Sequence, residues 1–150
     1  MFPTLSFGNT EIAPAELAAR AAKAAGFLAS IGLADGDTFA VMLRNQPALI
    51  EIMLAARQLG AYFVPLNWHF TAAETSFILR DSGAKLLIIG GDLLPGVADG
   101  IPVNMPVYRV GPLAAPPGQD TASEARDWNA GVERAEPLRT SSDKFRGMVP

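Results

Sequence analysis

The sequence predicts an α/β fold, with an open, largely parallel sheet of three to four strands and helices on both faces. Three observations predict it. Short apolar runs alternate with longer segments whose apolar residues recur every three or four positions. A strand, a helix and a second strand in succession make the strands parallel, joined by a right-handed crossover. A chain of 150 residues buries roughly 68–70 % of its unfolded surface, enough for one core without staples.

The first helix is predicted over residues 14–31. Leu17, Ala21, Ala24, Leu28 and Ile31 share one face, with Glu16, Arg20 and Lys23 on the other. Pro14 suits a first helical position, where its missing N–H would be unpaired anyway, and Gly32 offers a left-handed stop. Asp35-Gly36-Asp37 is turn chemistry and launches residues 38–43, an apolar run that reads as a buried strand. A second helix runs from Gln46-Pro47 through Leu59 to Gly60. Its body is apolar nearly all round, which predicts cover on several sides. Residues 62–66 read as a second strand, 72–81 as a third helix and 85–89 as a third strand. Thr71 and Glu74 form a capping box, in which each side chain satisfies the other's backbone N–H.

Beyond Gly90-Gly91 the character changes. Pro95, Pro102, Pro106, Pro112, Pro116 and Pro117 interrupt any long element, although Val107–Val110 reads as a fourth strand. Thr121 and Glu124 are placed to cap a short helix carrying Trp128, and residues 145–149 read as a strand just beginning where the chain stops. The expected organisation is an α/β core over residues 1–110 and a loop-rich extension over 111–150 that ends in a truncated strand. There is no internal repeat.

Composition removes several functions. Twelve Lys+Arg against 15 Asp+Glu argue against a polyanion-binding surface, so no nucleic-acid partner is expected. With 49 % hydrophobic and 18 % charged residues the chain is far from disorder. The absence of cysteine excludes disulfides, thiolate metal sites and a cysteine nucleophile, and the single histidine, His69, argues against a histidine-based zinc site. Met1-Phe2-Pro3-Thr4 has no basic signal-peptide start, and no window reaches the roughly 18 apolar residues of a membrane span. A soluble, cytoplasmic protein is expected.

The chemistry-bearing residues are few. No loop has the glycines and lysine of a phosphate cradle. Ligands of open α/β sheets gather beyond the carboxyl ends of the strands, which selects two loops, Asn67-Trp68-His69-Phe70 and Gly91-Asp92. Trp68 offers a face for an adenine ring, and His69 a donor to phosphate or an acid–base group. The plainer readings are a packed tryptophan beside an exposed histidine, and a simple strand-to-loop turn. Asp35 and Asp37 lie in a turn and Glu51 on a helix stripe, which favours structural carboxylates over a catalytic pair. Arg44 is expected to pair locally. Ser141-Ser142-Asp143 has no histidine to complete a triad.

The run from Leu28 to Ile89 resembles the N-terminal part of the adenylate-forming acyl-CoA synthetases, the superfamily that also holds luciferases and peptide-synthetase adenylation domains. The resemblance rests on Ala15-Glu16-Leu17-Ala18, Gly36-Asp37-Thr38-Phe39-Ala40-Val41-Met42-Leu43-Arg44-Asn45 and Gly60-Ala61-Tyr62-Phe63-Val64-Pro65-Leu66-Asn67. Thr71-Ala72-Ala73-Glu74 and Asp81-Ser82-Gly83-Ala84-Lys85-Leu86-Leu87-Ile88 continue it. More weakly, residues 143–150 look like the strand that in this family leads into the phosphate loop.

The resemblance implies an N-terminal fragment of an ATP-dependent acid–CoA ligase. Such enzymes activate a carboxylic acid, here a fatty acid by expectation, as an acyl-adenylate and transfer it to CoA, using ATP and Mg. The phosphate loop, magnesium ligands and adenylation lysine would all follow residue 150, so the chain alone is expected to be inactive. In some family members the loop aligned with Asn67, Trp68 and His69 borders the CoA nucleotide, with the turn aligned with Gly91 and Asp92 nearby. At this loop the residues depart from the family pattern. The expected partner is the rest of the polypeptide, with self-association where the apolar second helix and the last strand lack neighbours. The alternative is a short, non-catalytic binding or interaction module with the same fold.

Overall fold

A computed structural model describes residues 2–113 and 125–142. In chain order the elements are β1 (Leu5–Phe7), β2 (Thr10–Ile12), α1 (Pro14–Ser30), β3 (Thr38–Met42), α2 (Pro47–Leu59), β4 (Tyr62–Pro65) and α3 (Ala72–Asp81). They continue with β5 (Leu87–Gly90), α4 (Leu94–Val97), β6 (Val107–Val110), β7 (Arg126–Asp127) and α5 (Trp128–Arg134). A 3-10 turn, Ala98–Gly100, follows α4.

Five strands form one parallel sheet in the order β4-β3-β5-β6-β7. β3 lies inside it, with Ala40 opposite Val64 on one side and Leu87 on the other. Successive strand residues point to opposite faces, and both faces are covered. Phe39 and Val41 join Phe63, Ile88 and Tyr108 in a core with Leu28 of α1, Ile52 of α2 and Trp128 of α5. Ala40 and Met42 join Val64, Leu87 and Ile89 in a second core with Leu79 of α3 and Leu94 and Val97 of α4. Burial on both faces is why the strands read as unbroken apolar runs.

The predicted helices begin and end close to where they were placed, for the expected reasons. Pro14 and Pro47 occupy the first turns of α1 and α2. Gly60 closes α2 at φ +80°, and its N–H donates to Ala56 O and Arg57 O. At α3, Thr71 Oγ1 accepts from Glu74 N at 3.2 Å and its hydroxyl donates to Glu74 Oε1 at 3.1 Å. Only the threonine half of the expected capping box therefore caps the backbone, since the Glu74 carboxylate takes the Thr71 hydroxyl instead of the Thr71 N–H.

Several expectations need correction. The third strand runs over Leu87–Gly90 rather than 85–89, although Lys85 N and Leu86 O already bond to β3. α2 buries Ile52, Ala55 and Ala56, whereas Leu49, Ile50, Met53 and Leu54 are only half-buried. Ala48, Leu49, Met53 and Leu59 pack against the core from beside that buried stripe, and of the helix only Arg57 is exposed. Pro95 sits in the first turn of the four-residue α4, where a missing N–H costs nothing.

The β1–β2 hairpin escaped notice because three-residue strands carry no periodicity. Its turn does carry a signal, since the pairing of Phe7 with Thr10 leaves Gly8-Asn9 as a two-residue loop with Gly8 at φ +58°. β7 adds a fifth strand of two residues to the three or four expected. The helix carrying Trp128 is present, capped by Asp127 Oδ1 accepting from Ala130 N at 3.1 Å. The Thr121/Glu124 cap and the strand at 145–149 fall outside the described residues.

Candidate functional site

The sheet's strand order sets where its loops diverge. From β3 the chain crosses to β4 on one side, and from β5 it continues to β6 on the other. The carboxyl ends of β3 and β5 therefore flank a topological switch point, the place where open α/β sheets bind ligands. Three loops meet there, following β3, β4 and β5.

The structure brings one residue from each loop into contact. Arg44, just beyond β3, places its Nε 2.7 Å from Oδ2 of Asp92, just beyond β5. The same guanidinium lies 4.1 Å from the ring centre of Trp68, which follows β4. The His69 imidazole lies 3.5 Å from the Trp68 ring at a tilt of 32°. Arg44, Trp68, His69 and Asp92 are all exposed. Cation–π contact and ion pairing are each modest at such exposure, about 0–1 kcal/mol, so the cluster is a surface feature rather than a pillar of the fold.

The other two candidates shape this site. Asn67 Oδ1 accepts from His69 N at 2.9 Å, and Asn67 O accepts from Phe70 N at 2.9 Å. This Asx turn presents Trp68 and His69 outward. Gly91 is buried, and its N–H donates to Val110 O at 2.9 Å. A Cβ there would run into the carbonyl of Pro112, so the close approach of the loop after β6 requires glycine.

Arg44 is the residue sequence reading missed. Its partner is 48 positions away, not local. The criterion that selected the other two loops, position at a strand's carboxyl end, would have selected it as well.

The remaining carboxylates are dispersed. Asp37 Oδ1 meets Lys85 Nζ at 2.8 Å, and Oδ2 accepts from Ala34 N. Both contacts, with the Lys85 hydrogen bond the stronger, hold its carboxyl below the usual range. Asp35 accepts from the Ser142 hydroxyl at 2.8 Å. Glu51 lines a groove of about 400 Å³ between α1, α2 and α5. Burial pushes its pKa up, against the opposing pull of Arg20 at 3.5 Å. These three carboxylates have different partners and form no catalytic pair. Among the described residues no three His, Asp or Glu gather to hold a metal ion, and no helix is long and apolar enough to cross a membrane.

Comparisons with known proteins agree with this architecture. The family described as AMP-binding enzyme matches residues 3–144. The chain is 35 % identical over 128 residues to a long-chain-fatty-acid–CoA ligase of Mycobacterium tuberculosis, covering 85 % of this chain and 22 % of that protein. It is 42 % identical over 81 residues to a feruloyl-CoA synthase of an Amycolatopsis species, covering 54 % and 16 %. The fold superposes on a benzoate CoA ligase from Burkholderia xenovorans with a TM-score of 0.76 at 22 % identity, covering 89 % of this chain and 25 % of that one. The chain thus spans about a fifth of the length of these curated relatives.

Proposed function

The chain belongs to the AMP-binding enzyme family, and from that membership we propose that it is the N-terminal portion of an ATP-dependent acyl-CoA synthetase. The observation that carries this reading is the family match, which runs through nearly the whole chain rather than one motif. In the proposed reaction a carboxylate oxygen attacks the α-phosphorus of ATP, giving an acyl-adenylate and pyrophosphate. The CoA thiol then attacks the acyl carbon, giving a thioester and AMP. Within this class a fatty acid is the proposed substrate, supported by the relative named for long-chain fatty acids. The proposed setting is the cytoplasm, where ATP and CoA are available.

The residues present fit one of the three cofactors. For ATP and Mg they supply neither a glycine-rich phosphate loop nor, among the described residues, a cluster of metal ligands. For CoA, which supplies the thiol, the cluster at the sheet's carboxyl ends offers planar groups for a base and cationic edges for phosphates. The proposed CoA nucleotide site comprises Asn67, Trp68, His69, Gly91 and Asp92. Within it Trp68 and His69 meet the nucleotide, while Asn67 and Gly91 shape the loops that present them. The Trp68 indole already touches two planar groups. An incoming base would displace the imidazole or stack on its outer side, leaving Arg44 against the indole.

The experiment is an assay of the complete polypeptide that carries this sequence, given ATP, Mg, a fatty acid and CoA. The expected result is acyl-CoA and pyrophosphate in equal amounts, with none from the 150-residue chain alone. No product from the complete polypeptide with any of a range of acids would return the reading to a non-catalytic binding module. Turnover by the 150-residue chain would refute its proposed inactivity.

The rest of the same polypeptide is the proposed main partner. Half-buried Ile50 and Leu54 on α2, with Phe77 68 % exposed on α3, support self-association of the isolated chain through apolar surface. Light scattering should give a mass that rises with concentration, and a strict monomer at high concentration contradicts this.

A further inference from the structure

Arg44 carries an arrangement that its pairing with Asp92 does not use up. The ion pair engages Nε alone, and among the described residues the two terminal NH2 groups make no hydrogen bond. The plane of the guanidinium is set by two supports from different strands, the Asp92 carboxylate at 2.7 Å and the Trp68 ring at 4.1 Å. A planar group held along one edge and one face keeps its remaining fork of N–H donors in a fixed direction. That fork matches the spacing of two oxygens on a phosphate. About half of the side chain is exposed, so the fork is reachable. Arg44 also lies three positions before Pro47, where α2 begins with no side-chain cap. The partial positive charge of that helix end favours an anion on the same side of the sheet.

We infer that Arg44 is the specificity-determining residue of the nucleotide site, binding a phosphate group of a phosphorylated adenine nucleotide through its two terminal NH2 groups. The inference rests on the proposed nucleotide site and deepens it, because it assigns the phosphate to a residue outside the five that make up that site. Asp92 acts as a positioning residue. It fixes the edge of the guanidinium that the phosphate does not use and balances its charge while the site is empty. Trp68 then serves twice, bordering the base and supporting the arginine plane.

The test compares two ligands in the complete polypeptide that carries this sequence. Adenosine 3′,5′-bisphosphate has the base and phosphates, whereas adenosine has the base alone. Arg44→Gln should weaken the bisphosphate about tenfold while changing adenosine less than twofold, the difference arising from lost charge-assisted hydrogen bonds. Arg44→Lys, which keeps the charge without the planar fork, should recover only part of that loss. The Arg44 pair is a surface contact, so thermal melts of both variants should match the wild type. Equal weakening of both ligands by Arg44→Gln would mean that Arg44 only supports Trp68, and no weakening of either would mean that it takes no part. Both results overturn the inference and leave the nucleotide site standing. If the wild type binds neither ligand, the nucleotide site itself falls, and this inference with it.

Discussion

Glu51 and Arg20 belong to neighbouring helices and meet at 3.5 Å on the rim of the groove beside Trp128. Burial raises the Glu51 pKa above its ordinary value of 4.5, since removing water penalises the carboxylate more than Arg20 restores it. Just above that value the folded chain holds more protons than the unfolded one, so this residue's contribution to stability falls as pH rises there. Glu51→Gln removes the effect. Urea midpoints measured from about pH 4 to pH 7 should show the variant gaining on the wild type with rising pH and then levelling off. A difference independent of pH would show that the carboxylate carries no burial cost. Asp37 has the opposite sign, because Lys85 and the Ala34 N–H favour its ionised form. Its contribution is present above the ordinary carboxylate range and lost as pH falls below it. Neither behaviour was legible in the sequence. A charge on a helix stripe and a charge in a turn look alike until the neighbouring elements are placed.

α1 shows how one helix serves two contacts. Its inner face, Leu17, Ala21, Ala24, Ala25 and Leu28, is fully buried, and the spacing of four of these residues is what predicted it. Gly26 was silent in that pattern. The chain beyond α5 crosses α1 at this point, with Leu138 N donating to Ala22 O at 2.9 Å, and a Cβ on Gly26 would run into the Glu136 carbonyl. Two effects then compete in Gly26→Ala. Alanine favours a helix interior by about 1 kcal/mol, whereas forcing a methyl against a tethered backbone costs about 1–3 kcal/mol. Gln58 Nε2 donates to both Leu138 O and Thr140 O, so the segment cannot easily move aside, and the clash wins. A net loss of up to about 2 kcal/mol is expected in chemical denaturation. A gain in stability would mean that residues 136–138 do not lie on α1. The elements that periodicity and caps define, α1 to α3 and the four longer strands of the sheet, were legible. The β1–β2 hairpin and β7 were not, because two or three residues are too few to show an alternation, nor was α4, because four residues make a single helical turn with no repeat.

For the molecule as a whole, parallel strands place every strand's carboxyl end on one side, and the order β4-β3-β5-β6-β7 opens the switch point between β3 and β5. This is why residues as far apart in the chain as Arg44, Trp68 and Asp92 meet. In the sequence the strand-end rule pointed to the loops that hold Asn67, Trp68, His69, Gly91 and Asp92, and the family resemblance proposed these five for a nucleotide. Their division into presenting residues and presented ones could not, since it depends on which atoms the Asx turn and the Pro112 carbonyl already occupy. Chain length relative to the relatives adds the last constraint. At about a fifth of their length, this chain is proposed to contribute part of a nucleotide site and not the chemistry of activation.

The measurement that tests this most directly is calorimetric titration of CoA into the complete polypeptide and its Trp68→Ala variant. Loss of an aromatic platform for a base costs about 1–3 kcal/mol. The account therefore predicts binding to the wild type and at least about fivefold weaker binding to the variant, since 1.4 kcal/mol is tenfold. Equal affinity in the two would contradict it.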